Sequence, residues 1–144
     1  MPAISRAKVL ILGAVALLAA LAASGIHPYD RVTWVLEVFP VMIILPVLYA
    51  TYRRFPLTSL LYGLIFLHAL ALLHGGAYTY ARAPVGTLLA DVFGLDRNPY
   101  DKIGHFLQGL VPALAAREVL LRQGILRPGK MLVFLVLCVT LAIS

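Results

Sequence analysis

The sequence predicts an all-α protein, a polytopic transmembrane helical bundle, on two observations. The first is composition: of 144 residues, 62% are hydrophobic and 12% are charged, whereas soluble domains average about 45–50% apolar and about 25% charged residues. A domain of this size buries only about two-thirds of its surface, so this much apolar surface requires lipid as solvent. The second is distribution: the apolar residues form long runs, and a helix crosses a bilayer in about 20 residues.

The first predicted span covers residues 7–26 and includes a basic residue, Lys8, near its start. A basic start before an apolar run is also typical of a cleaved signal peptide, for which Ala20-Leu21-Ala22 would supply a small-residue cleavage site. Both interpretations place Gly25 and the residues after it on the external side, so the rest of the topology is the same for either.

The second predicted span, residues 32–52, is interrupted by Pro40 and Pro46. Each proline removes one helical hydrogen bond, which membrane helices tolerate when neighbouring groups satisfy the freed carbonyl. The span also contains Glu37, about one turn inside its external end. A glutamate at that depth must be protonated, paired or hydrated, so it is a candidate functional residue.

The third predicted span, residues 55–74, is followed by the longest connection of the chain, residues 75–100. Within that connection, apolar residues recur at helical spacing after Pro84, and Gly94 can end the element. We expect a short amphipathic helix over residues 84–93 that lies on the outer membrane surface. A packed external loop is the alternative interpretation.

The fourth predicted span covers residues 101–121, and the last apolar run covers residues 131–144. That last run is too short for a full crossing. We therefore expect four full spans plus an incomplete fifth in a single domain, and a chain that is truncated at its C-terminus. The single cysteine, Cys138, allows neither an intrachain disulfide nor a zinc site built from cysteines.

The basic residues predict a cytoplasmic N-terminus, because short cytoplasmic loops carry an excess of Lys and Arg. In that orientation eight basic residues lie at cytoplasmic ends: Arg6, Lys8, Arg53, Arg54, Arg117, Arg122, Arg127 and Lys130. Four lie at external ends: Arg31, Arg82, Arg97 and Lys102. The net charge of +6 thus reflects topology, and the absence of a basic face argues against a nucleic-acid partner. The expected partner is the lipid bilayer.

Five ionisable side chains from three spans fall in the outer half of the predicted bilayer. They are Glu37, His68, His74, Asp101 and His105. Ionisable groups inside membrane spans usually face the bundle interior or a water-filled cavity and often mark function. The sequence therefore predicts one polar pocket that is open to the external face.

The candidate catalytic residues of this pocket are Glu37, Asp101 and His105. Asp101 and His105 are four residues apart and share one helix face, so the carboxylate can orient the imidazole and raise its basicity. With Glu37 and His74, the same pair could also bind a divalent metal. The alternative is that Asp101 caps the fourth span by accepting backbone hydrogen bonds.

Arg97 and Lys102 flank the start of the fourth span. The positive end of the helix dipole adds to their attraction for a phosphate or an anionic lipid headgroup. The candidate substrate-binding residues are Arg97, Tyr100, Lys102, Gln108 and Tyr78. An ordinary turn with interface anchoring is the alternative for this segment.

Three segments resemble the YjdF-like family of bacterial inner-membrane proteins: Trp34 to Pro40, residues 68–80, and residues 97–109 followed by Arg117-Glu118. The resemblance implies a multi-pass protein of the bacterial inner (cytoplasmic) membrane and implies no particular reaction. It also implies further helices, since members of that family usually continue beyond the segments found here. Residues 101–106 are more weakly similar to VanZ-like membrane proteins, which implies a role in the cell envelope.

Three classes of function are compatible with these features. The first is an outward-facing polar pocket that binds or processes a lipid-linked or envelope substrate, with catalysis left open. The second is a small proton-coupled transporter, in which Glu37 and His105 relay protons and the proline-broken spans flex. The third is a non-catalytic partner or stabiliser, in a homo-oligomer or with another membrane protein, whose polar face is buried at the interface.

Overall fold

The computed structural model describes residues 5–143, and within this range the chain forms six α-helices and no β-strand. The helices are α1 (Arg6–Ser24), α2 (Arg31–Thr51), α3 (Ser59–Tyr78), α4 (Pro84–Phe93), α5 (Tyr100–Arg122) and α6 (Lys130–Ile143), with a 3₁₀ turn at Tyr80–Arg82. The predicted all-α class is confirmed. The last residue of the predicted run 131–144 lies outside the described residues.

Short polar side chains define where the first three helices begin. Ser5, Asp30 and Thr58 each accept a hydrogen bond from the backbone N–H three residues later. These bonds satisfy donors that have no partner within the first turn of a helix. Helix α4 instead begins at Pro84, whose missing N–H costs nothing at the first helical position.

Three helices, α1, α2 and α3, are long and apolar enough to cross a membrane. Helix α5 has 23 residues but carries charged residues at both ends, and α6 has only 14 residues. Three apolar spans are therefore confirmed, whereas the fourth and fifth spans and the cytoplasmic N-terminus stay predictions.

Helix α3 is the centre of the bundle. It packs against α1, α2 and α5, while α6 packs against α5. Within the apolar segment of each helix, 44% of the residues of α3 are buried, compared with 6% in α1 and 11% in α2. One apolar cluster joins α3 to α1 and α2: Leu17, Val38, Val41, Ala69, Leu72 and Leu73. A second joins the residues around the start of α3 to α5: Leu57, Leu61, Ile65, Leu107 and Val111.

Helix α3 lies four residues later in the chain than the predicted span 55–74. Its start is displaced because Thr58 caps it. Its end is displaced because Gly75 and Gly76 are buried and stay helical; a methyl group on Gly76 would lie 3.2 Å from Cβ of Glu37, so the glycine allows α2 to pack closely. The expectation that the helix ends beside His74 is wrong, and His74 lies within α3.

Polar contacts join the helices at the end of the bundle that holds the α2–α3 connection. The Glu118 carboxylate of α5 accepts hydrogen bonds from the Thr58 N–H (2.8 Å) and the Thr58 hydroxyl (2.7 Å). It also pairs with Arg122 at 2.6 Å, and Arg6 of α1 donates to the carbonyl of Leu57. These bonds clamp α1, α3 and α5 together at this end.

We predict that Glu118→Ala lowers the free energy of unfolding by about 1–3 kcal/mol, because the N–H of Thr58 loses a charged acceptor. The measurement is thermal or denaturant unfolding of the detergent-solubilised protein. The matched control is Arg117→Ala, which removes an exposed charge from the neighbouring position and should have little effect. Equal losses for the two variants would contradict the clamp.

Candidate functional site

The ring of Tyr80 lies in a narrow slot between α3 and α5. The walls of this slot, which we call the glycine slot, are Gly75 of α3 and Gly104 of α5. A methyl group on Gly104 would lie 2.4 Å from Cε1 of Tyr80, and one on Gly75 would lie 2.8 Å from its Cζ. Real side chains do not approach so closely, so the ring fits only because both positions lack a Cβ atom.

The hydroxyl of Tyr80 reaches Glu37 on α2, so a third helix contributes to the site. It donates a hydrogen bond to Oε2 of Glu37 at 2.8 Å, so α2, α3 and α5 meet at one phenol. Burial of the ring, the hydrogen bond to Glu37 and the charge of that carboxylate raise the pKa of Tyr80 above its ordinary value. The phenol therefore stays protonated and acts as a donor to Glu37.

The backbone that delivers this ring is strained. Thr79, between α3 and the 3₁₀ turn, has φ 62° and ψ 147°, and no other non-glycine residue in the described range has a positive φ. A residue with a Cβ atom in such a region costs about 1–3 kcal/mol. The contacts of Tyr80 therefore hold Thr79 in a conformation that it would not adopt alone.

Asn98 holds the segment that follows Tyr80 in place through hydrogen bonds to the backbone. Its Nδ2 donates to the carbonyls of Ala81 (3.3 Å) and Ala83 (3.1 Å), and its Oδ1 accepts from the N–H of Tyr100 (2.9 Å). Asn98 thus ties the 3₁₀ turn to the start of α5. The bond from Tyr100 means that Asn98 accepts from the first backbone N–H of α5. The capping interpretation of the sequence had assigned such a role to Asp101.

Tyr100 and His74 form an aromatic cluster beneath the Tyr80 ring. Tyr100 is 5% exposed, and its hydroxyl donates to the carbonyl of Ala71 at 3.0 Å. The Tyr100 ring centroid lies 5.2 Å from that of His74 and 5.7 Å from that of Tyr80, and His74 lies 4.9 Å from Tyr78. Tyr100 therefore supports the site from within rather than lining it, whereas Tyr78 is exposed.

Asp101 and His105 lie side by side on α5. His105 Nε2 is 3.6 Å from Asp101 Oδ1, and the side chains are 56% and 62% exposed respectively. They do not contact Glu37 directly. Tyr80 connects them to it, since its hydroxyl bonds to Glu37 and its ring packs on Gly104, the residue before His105.

An open depression of about 530 Å³ lies beside the Tyr80 ring and is lined by Tyr80, Ala81, Arg97, Asn98 and Asp101. It brings one predicted anion contact, Arg97, together with one predicted catalytic carboxylate, Asp101. Lys102 is exposed and Gln108 is partly exposed, and neither contributes to its lining.

The predicted metal ligands are not assembled in the described part of the chain, which contains no group of three or more His, Cys, Asp or Glu residues placed to hold an ion. Asp101 and His105 are together, but Glu37 bonds to Tyr80 and His74 packs between two tyrosines. His68, another of the five side chains assigned to the predicted pocket, has a buried Nε2 without a hydrogen-bond partner within residues 5–143.

Tyr80 and Asn98 are the two site residues that the sequence did not single out. Weak signals for both were present. Gly75, Gly76 and Gly104 are small residues of the kind that allow close approach in membrane helices, and an Asn before a Pro favours a local side-chain turn. Neither signal identifies the partner, because Gly104, one wall of the slot, is distant in sequence from the tyrosine that packs on it.

Comparison with known proteins adds two matches. A family model described as "Predicted membrane protein (DUF2238)" matches residues 9–144. The inner membrane protein YjdF of Escherichia coli (strain K12) is 60% identical over 121 residues, which is 84% of this chain and 58% of that relative. The chain thus spans less than two-thirds of the relative's length. No solved structure is significantly similar to it.

We predict that Gly104→Ala destabilises the protein by about 1–3 kcal/mol, because the added methyl group overpacks the glycine slot. The matched control is Gly63→Ala, also within a helix, where an added methyl would meet nothing within 4 Å. That control should be neutral or stabilise by up to about 1 kcal/mol, because alanine favours helix more than glycine does. Unfolding of both variants in the same detergent tests this, and destabilisation of the two to the same extent would refute the slot.

The raised pKa of Tyr80 predicts a loss of stability at alkaline pH. The unfolded chain releases this proton near pH 10, whereas the folded protein retains it. The contribution of Tyr80 is therefore complete below about pH 10 and declines as the pH rises towards the folded-state pKa. Unfolding midpoints between about pH 8 and pH 11 should fall more steeply for the wild type than for Tyr80→Phe, while Tyr29→Phe, at an exposed tyrosine, should follow the wild type.

Proposed function

Because this chain belongs to the DUF2238 family of predicted membrane proteins, we propose that it is a multi-pass membrane protein with an outward-facing site for an anionic, lipid-linked or envelope substrate. The family match and the 60% identical relative confirm the resemblance to YjdF-like proteins and the inner-membrane location. The topology, the site and the substrate class are the proposal.

The proposed topology has a cytoplasmic N-terminus, four full spans (α1, α2, α3 and α5) and a partial fifth (α6). The helix ends on the same side of the membrane as the N-terminus carry more basic residues than the opposite ends, and this excess supports the orientation. It places the Glu118 clamp at the cytoplasmic end and the glycine slot at the external end. Helix α4 then lies at the outer membrane surface, and its exposed apolar residues support that placement: Val85, Leu88, Val92 and Phe93.

The observation that carries the proposed site is the 2.8 Å hydrogen bond between Tyr80 and Glu37. Through Tyr80 it places the carboxylate of α2 at the same end of the bundle as the Asp101–His105 pair of α5. Arg97 lines the adjoining depression and supplies a cation for a phosphate or a carboxylate. An anionic group at Arg97 would thus lie beside candidate acid and base groups.

Each polar residue has a chemical role in this proposal. Asp101 orients His105, which would accept or donate a proton at a group bound in the depression. Arg97 binds the anionic group, and exposed Lys102 adds to the positive field around it. Glu37 is a hydrogen-bond acceptor whose Oε2 is engaged by Tyr80 in this structure.

The packing below the site favours a binding site over a proton-coupled transporter. A carrier needs a polar path from the external groups to the opposite side. Instead, apolar clusters join α3 to α1 and α2 along one part of its length and to α5 along another. The third class, a non-catalytic partner or stabiliser, predicts a protein ligand rather than a small anionic one.

The test is a thermal-shift measurement on the purified full chain, with farnesyl phosphate as the lipid-linked probe and inorganic phosphate as the free anion. We expect farnesyl phosphate to raise the unfolding midpoint. Arg97→Gln should weaken its binding by at least about tenfold, because a charge-assisted bond is worth about 1.5–3 kcal/mol. Arg127→Gln, at the opposite end, is the matched control and should bind as the wild type does.

A stronger effect of inorganic phosphate than of farnesyl phosphate would assign the site to a soluble anion. Equal binding by Arg97→Gln and Arg127→Gln would contradict the proposed site. Co-purification of one stoichiometric membrane protein, without any shift from either probe, would support the partner class instead.

A further inference from the structure

Tyr80 separates two parts of the site that a ligand would need to reach together. On one side, its ring lines the open depression with Arg97 and Asp101. On the other, its hydroxyl covers Oε2 of Glu37. We propose that Tyr80 is a gate, and that Glu37 and the glycine slot behind it form a subsite for a ring that carries a hydroxyl or ammonium group. This inference rests on the proposed function and specifies its substrate.

The walls of the glycine slot suit the exchange of one ring for another. Gly75 and Gly104 present backbone to the ring of Tyr80, so no side chain from either wall interlocks with it. The hydroxyl makes a single hydrogen bond, to Glu37. A ring held by two flat walls, the Tyr100 ring at 5.7 Å and one hydrogen bond can leave by a rotation of its own side chain, and a ring of similar thickness can take its place.

The backbone favours a movement that is local to Thr79 and Tyr80. Thr79 is strained while the ring is in the slot, so withdrawal of the ring releases part of the cost of the closed state. The following residues stay anchored, because Asn98 holds the carbonyls of Ala81 and Ala83. The gate therefore opens by a movement of Thr79 and the Tyr80 side chain while Ala81, Ala83 and the start of α5 stay in place.

The chemistry of the subsite defines its ligand. A carboxylate accepts hydrogen bonds, so the ligand must donate one where the Tyr80 hydroxyl now does. The slot between the two glycines is the width of a ring, and Arg97 at its outer side binds a negative group. A planar ring that carries a hydroxyl or amine group and is linked to a phosphate combines these three features.

The test is labelling of Glu37 by a water-soluble carbodiimide and glycine ethyl ester, with the full chain in lipid nanodiscs and mass spectrometry as the readout. Asp91, an exposed carboxylate on α4, is the internal reference. We expect slow labelling of Glu37 in the wild type and at least about tenfold faster labelling in Tyr80→Gly, since the open population then dominates. Tyr29→Gly, which removes an exposed tyrosine at the same end, is the matched control and should label as the wild type does.

Two further variants separate gating from a general loss of structure. Thr79→Gly removes the strain of the closed state, so it should slow the labelling of Glu37 about threefold while the protein stays at least as stable. Tyr80→Phe keeps the ring and removes its hydrogen bond, so labelling should lie between those of the wild type and Tyr80→Gly. If Glu37 were labelled only after general unfolding, Glu118→Ala, which destabilises the other end of the bundle, would also speed its labelling; a gate predicts that it does not.

The ligand class is tested in Tyr80→Gly with phenol and toluene, two rings that differ in one hydroxyl. We expect phenol to protect Glu37 from labelling and toluene not to do so. Equal protection by both would overturn the requirement for a donor, and wild-type labelling in Tyr80→Gly would overturn the gate. Neither readout uses an anionic probe, so failure of the gate is distinguishable from failure of the Arg97 site.

Discussion

The hydrogen bond from Tyr80 to Glu37 is the constraint on which one end of the bundle, the end that holds the α3–α5 connection, depends. A carboxylate one turn inside a membrane helix needs a partner, because an unpaired charge in an apolar environment is costly. The connection after α3 supplies that partner as a phenol at 2.8 Å. The phenol can reach it only because Gly75 and Gly104 open a slot between two helices, so one polar requirement determines the packing of three helices.

The two ends of the molecule use the same kind of interaction. At one end Tyr80 joins α2 to the α3–α5 interface, and at the other the Glu118 carboxylate joins α5 to the start of α3 through Thr58. Between them the helix contacts are two apolar clusters at different levels along α3. This division suits a helix bundle in a bilayer. The hydrogen bonds near the helix ends are directional and join particular residues, whereas the apolar contacts between those ends let α3 pack on several neighbours.

Much of the fold was predictable, because it depends on properties that are local in sequence. Composition and the length of the apolar runs identified an all-α membrane protein, and its first three spans are found as apolar helices. The predicted span 55–74 is displaced by about one turn from α3, because it ends at His74, just before Gly75 and Gly76. Whether Gly75 ends a helix or forms a wall depends on what packs against it, and here that is a tyrosine from outside the helix.

The sequence alone determined that the first three apolar runs form helices suited to lipid. It also determined that Asp101 and His105 lie together, since a spacing of four places two side chains on one helix face. The Oδ1 atom of Asp101 and the Nε2 atom of His105 are 3.6 Å apart. Only the tertiary structure decided which groups meet across helices. It paired Glu37 with Tyr80, assigned Asn98 rather than Asp101 to the start of α5, and placed Tyr100 inside the bundle. The bonds of Tyr80 to Glu37 and of Tyr100 to Ala71 join residues distant in sequence, and their geometry depends on how whole helices pack, which no local pattern of residues contains.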